Sequence, residues 1–143
     1  MSSFVEEQLQ EVIDSLKAGV ADFTLKINSA KLDVAPSTRN NDSFLRFETR
    51  VTDINRKIRG VENSRIERKA RKWRLHPEVY SREVLADLEQ SRGVKPELEQ
   101  LVRDLDSFKV RALRHESLNR MGLSSLEMLK ISSVSIHKSS KVP

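Results

Sequence analysis

Residues 9–34, LQEVIDSLKAGVADFTLKINSAKLDV, decide the fold. Their apolar members Leu9, Ile13, Leu16, Val20, Phe23, Ile27, Ala30 and Val34 follow one another in steps of four and three. A repeat averaging 3.5 residues lays a narrow stripe along one side of a helix and turns it towards a neighbouring helix. The rhythm returns at Phe44, Phe47, Val51, Ile54, Ile58 and Val61, and again at Leu98, Leu101, Leu105, Phe108 and Ala112. Three such runs predict an all-α chain: an elongated helical hairpin or coiled-coil bundle with shorter C-terminal helices.

Working outward from that stretch, Ser3 and Glu6 have the spacing of a capping box, so the first helix is expected to run from about Ser3 to Val34. Gly19 on the flank of the stripe has two readings: a tolerated weak point costing about 1 kcal/mol relative to alanine, or a place where a neighbouring backbone comes close. Pro36 ends the helix by removing a donor and restricting Ala35. PSTRNNDS over 36–43 reads as a loop, with Asp42 or Ser43 capping a second helix from Phe44 to about Leu75. After Val61 the steps would put Arg65 and Arg68 in the seam, while Ile66, Ala70 and Trp73 make a shifted stripe. The expected outcome is a stutter that rotates the apolar face, with Gly60 allowing a bend.

Pro77 suits the first turn of a third, shorter helix ending near Ser91, with Gly93 as its left-handed cap. A fourth helix is expected from Pro96 towards His115 or Leu118, and a short last one through Leu126, Leu129 and Ile131. The organisation that follows is a long helical hairpin with a basic distal segment over 1–75, shorter helices packing on or extending it over 76–131, and a flexible tail over 132–143.

The composition of the 143-residue chain fits this reading. Charged residues are 33% and hydrophobic ones 37%, and there are only four glycines and four prolines to interrupt long helices. With no cysteine, disulfide frameworks and thiolate metal sites are excluded. The acidic opening MSSFVEEQLQEVIDSL does not read as a secretory signal, and no run approaches the roughly 20 apolar residues of a membrane span. The chain reads as a soluble intracellular protein.

Net charge is +5, and its placement matters more than its size. Between Arg56 and Arg74 nine lysines and arginines stand against Glu62 and Glu67. Arg65, Arg68, Lys69 and Lys72 are spaced to share one helical face. A solvated face, an acidic protein partner and phosphate all suit such a cluster, and arginine forks grip carboxylates or phosphates in pairs. No zinc-finger spacing or recognition-helix pattern accompanies it. Trp73 and Tyr80 read either as core anchors near the Pro77 corner or as partner-interface anchors. Leu126 and Leu129 read as packing residues or as part of a linear docking element.

His76, His115 and His137 lie far apart without ligand spacing, so neither a metal nor another cofactor is expected. No phosphate-binding glycine loop, dinucleotide fingerprint or nucleophile elbow occurs, and catalysis is not expected. The expected function is a non-catalytic helical scaffold or adaptor subunit of a larger hetero-oligomeric assembly. The alternative is a nucleic-acid-associated factor using segment 56–74 on phosphates. The KARKWR stretch at 69–74 tilts the expected location towards the nucleus over the cytoplasm.

Overall fold

A computed structural model describes residues 2–71 and 76–121 of the chain. They form three helices, α1 (Ser2–Asp33), α2 (Thr38–Ala70) and α3 (Pro77–Arg120). At 1.5 Å per residue these are rods of about 48, 50 and 66 Å. Each packs on the other two. Among the described residues there is no strand, and no helix is long and apolar enough to cross a membrane.

Every residue of the three apolar rhythms is buried, with Leu9, Phe23 and Leu101 at 0% exposure. Tyr80, Val84, Leu88 and Val94 continue the same seam at the start of α3. Surface ion pairs report the relative directions. Lys31 meets Glu48 at 2.6 Å and Lys17 meets Glu62, so α1 and α2 run in opposite senses. Arg50–Asp104 at 2.8 Å and Lys57–Glu97 at 2.7 Å set α2 against α3 in the same way. Such exposed pairs contribute at most about 1 kcal/mol each; the apolar seam holds the bundle.

The connection between α1 and α2 is shorter than the sequence implied. α2 begins at Thr38, not at Phe44, because Ser37 caps it: its Oγ accepts the Asn40 amide at 3.0 Å. Asn40 then donates from its side chain to the Ala35 carbonyl at 2.9 Å, and Glu116 of α3 accepts the Ala35 amide. The turn is thereby tied to α3 as well as to its own flanks. At this end Phe44 and Phe108 meet edge to face at 5.2 Å, with Phe47 leaning on Phe108 at 5.8 Å.

The expectation of two shorter helices over 78–118 is corrected: α3 is one 44-residue helix with Pro96 inside it. A proline in a helix interior costs about 3 kcal/mol through its missing donor and ring clash. Pro96 faces outward, however, where water can reach the freed carbonyl, while Val94, Leu98 and Leu101 beneath it are buried in an unbroken seam. Tertiary burial of that stripe outweighs the local preference to stop. Gly93 is an ordinary helical residue with open space around it, not a cap.

Gly19 is a place of close approach, though not by the group the sequence suggested. A Cβ at that position would lie 2.6 Å from Leu98 Cδ2, so the missing side chain makes the notch that lets α3 close on α1. The approaching group is a side chain, where the sequence had pointed to a neighbouring backbone.

Candidate functional site

The heptad of α2 does not stutter after Val61; it continues in phase, with arginines in place of aliphatic residues. Arg65 is partly buried and Arg68 is completely buried, whereas Ile66 is 65% exposed and Ala70 lies at the surface. The shifted stripe expected through Ile66 and Ala70 is corrected accordingly. Two arginines can occupy a seam only if carboxylates meet them there, since an unpaired buried charge costs several kcal/mol.

Those carboxylates come from the other two helices. Glu6 of α1 accepts from Arg65 Nε at 3.0 Å through Oε2, and from Arg68 Nε at 3.2 Å through Oε1. Asp87 of α3 accepts from Arg68 Nη1 at 2.5 Å, and its same Oδ2 accepts the Ser64 hydroxyl at 3.0 Å. The Tyr80 hydroxyl donates to Glu6 Oε1 at 2.9 Å, and the Arg68 guanidinium lies 5.8 Å from the centre of the Tyr80 ring. One step further along α3, the buried Ser91 hydroxyl donates to the Asp87 carbonyl at 2.8 Å. Two cations and two anions thus cancel in a cluster that touches all three helices. Arg68 Nη2 is the atom left over, buried and without an acceptor among the described residues.

The electrostatics follow from this arrangement. Burial opposes ionisation of Glu6, but the Tyr80 hydroxyl and the two arginines outweigh it, and its carboxyl sits below the usual carboxylate range. Burial likewise opposes the Arg68 charge, yet Asp87 and Glu6 raise its pKa further. Burial and then the neighbouring Glu6 carboxylate push the Tyr80 phenol up. At the surface, hydrogen bonds from Gln100 and Arg50 lower Asp104.

The four cations singled out from the sequence therefore part company. Arg65 and Arg68 point into the bundle and serve its own carboxylates, so the shared basic face does not form from them. Lys69 is exposed. Tyr80, with 7% exposure, faces inward as a core anchor with a polar tip. Lys72, Trp73, Leu126 and Leu129 lie outside the described residues, as do the helix expected near 126–131 and the tail. Glu6 and Asp87 were missed. The available signal was the seam arithmetic itself, which had already placed Arg65 and Arg68 inside.

The surface of the described residues carries shallow depressions, two of them sizeable. One, of about 440 Å³, lies beside the α1–α2 turn between Lys31, Pro36, Phe44 and Glu48. The other, of about 540 Å³, lies on the outer face of α2 among Thr52, Asn55, Arg56, Arg59 and Asn63. Among the described residues no group of three histidine or acidic side chains is arranged to hold a metal. No protein-family model, curated protein or solved structure matches the chain.

Proposed function

We propose that this chain is a non-catalytic helical scaffold or adaptor subunit that joins other helical proteins in a larger assembly. The observation that carries this reading is the separation of inside from outside. One apolar seam and one neutral ionic cluster consume the inward faces of all three helices. Long outward faces remain, and these differ in charge from helix to helix. Rods of this length, joined as a coiled-coil-like hairpin with a third helix alongside, offer extended surfaces to partners better than a concave site for a small molecule. Nuclear placement is part of the proposal and rests on the KARKWR stretch.

The test is isolation of the full chain from its native source, followed by reconstitution with the proteins that accompany it. A stoichiometric complex that re-forms from purified components supports the reading. A chain that leaves native extract alone, as a monomer, overturns it.

The alternative is a nucleic-acid-associated factor, and one observation speaks for it: Arg56 and Arg59 share the outer face of α2 with Asn55 and Asn63. Phosphate contacts would fall to Arg56, Arg59 and Lys69, since Arg65 and Arg68 are occupied. Binding that weakens steeply with salt and ignores base sequence, abolished by Arg56→Glu/Arg59→Glu, would favour this second reading.

A further inference from the structure

We infer that the outward face of α1 is a docking surface for a helix from another protein, one with bulky aliphatic residues at heptad spacing and lysines or arginines near one end. This rests on the scaffold reading and names the surface and the partner chemistry within it.

The side of α1 opposite its buried seam carries a second ordered pattern. Glu7, Glu11 and Asp14 come first, followed by Ala18, Ala21, Leu25 and Leu32, and all seven are exposed. Leu25 is 67% and Leu32 is 89% open to solvent. From Asp14 the steps are four, three, four and seven, with Asn28 at the intervening seam position. That spacing is what any straight helix face gives; what suits this one to a helix partner is that its second half carries small and aliphatic residues and no charge. The apolar part spans about 21 Å, and its two alanines leave room for large side chains from the partner.

Charge gives the partner its sign. No lysine or arginine falls on this face, although the chain has 26 of them. The three lysines of α1 sit on its flanks and are engaged by Glu62, Asp22 and Glu48. Glu7, Glu11 and Asp14 have no ion pair among the described residues; Asp14 accepts only the Gln10 amide at 2.7 Å. The outer faces of α2 and α3 are different, carrying Arg56 and Arg59, and Arg92, Arg103 and Arg114. An acidic half beside an uncharged apolar half selects a helix that is basic and then apolar along its own length. A second copy fits less well. Parallel pairing sets the three carboxylates against themselves, and full antiparallel overlap sets Glu7, Glu11 and Asp14 against Leu32, Asn28 and Leu25. The strip is short, so the interface belongs to the small, exchangeable class.

Because the chain has no cysteine, Leu25→Cys gives a single attachment point for a photo-crosslinker on the full-length protein. The labelled chain is exposed to native extract, irradiated, and the attached peptides are sequenced, with Arg103→Cys on the outer face of α3 as control. The expected product from Leu25→Cys alone is a peptide with aliphatic residues at heptad spacing and basic residues near one end. A synthetic copy of that peptide should bind the unlabelled chain at least tenfold more tightly than it binds Leu25→Glu/Leu32→Glu. Glu7→Lys/Glu11→Lys should also weaken it, with all variants retaining wild-type helicity. Attachment to a second copy or to lipid, equal capture from Arg103→Cys, no product, or equal peptide affinity for the double variant would each overturn the inference. A complex that persists in the extract through another face would leave the scaffold reading standing without it.

Discussion

Replacing Arg68 by alanine removes the centre of the ionic cluster, and the size of the loss follows from what each neighbour keeps. Glu6 retains Arg65 and the Tyr80 hydroxyl. Asp87 loses its only ion-pair partner among the described residues and keeps the Ser64 hydroxyl, with its side chain only 10% exposed. Stranding one partner of a buried pair costs about 3–5 kcal/mol. For a domain of this size, with roughly 4 °C of melting temperature per kcal/mol, Tm should fall by about 12–20 °C. Urea unfolding followed by far-ultraviolet circular dichroism measures the loss directly. A companion variant, Arg68→Met/Asp87→Leu, removes both charges of that pair while Glu6 stays on Arg65 and Tyr80, and should recover most of the stability, because an apolar pair avoids desolvating ions. A loss below about 1 kcal/mol for Arg68→Ala is what an exposed surface pair gives, and would refute the reasoning.

The glycines should separate by environment. Gly60→Ala and Gly93→Ala meet open space inside helices and should each stabilise by about 0.5–1 kcal/mol, whereas Gly19→Ala should destabilise by about 1 kcal/mol against the Leu98 contact and turn stabilising in a Leu98→Ala background. Tyr80 is the single tyrosine of the chain, so ultraviolet tyrosinate titration reads it alone; its midpoint should lie above the ordinary value near 10 and return towards it in Glu6→Gln. Stability contributed by the raised Tyr80 phenol is present below about pH 10 and is lost as pH climbs through the folded value. Glu6 has the opposite sign: its depressed carboxyl contributes stability above the ordinary carboxylate range, lost as pH falls through the folded value. Wild-type stability should therefore decline more steeply on acidification below about pH 4.5 than that of Glu6→Gln, measured by denaturant midpoint at successive pH values.

Periodicity alone made the core legible, since spacing constrains every seam position and needs no partner to be identified. Phe44 and Phe108 could be assigned to the interior long before their ring contact was known. Boundaries were harder. Ser37 took the capping role because it closes the turn five or six residues earlier than Asp42 or Ser43 could, and Pro96 was overruled by the stripe beneath it. The ionic cluster escaped because composition argues against arginine in a seam, and that argument holds only when no carboxylate arrives from elsewhere. Glu6 lies 59 and 62 positions away from its two arginines, and no local pattern connects them.

The cluster also answers a question that repeating sequences raise about alignment. Rods joined by an apolar ladder of period seven can slide by one period and still bury leucine on leucine. A shift of α1 by seven that puts Ile13 where Glu6 now stands leaves two guanidinium groups facing a hydrocarbon, and sets Lys26 against Leu98 in place of Gly19. Both errors are costly, and each arises from a feature that occurs once. The ladder supplies adhesion that is indifferent to displacement, while a single charged junction and a single notch act as the index marks by which three long helices find one alignment.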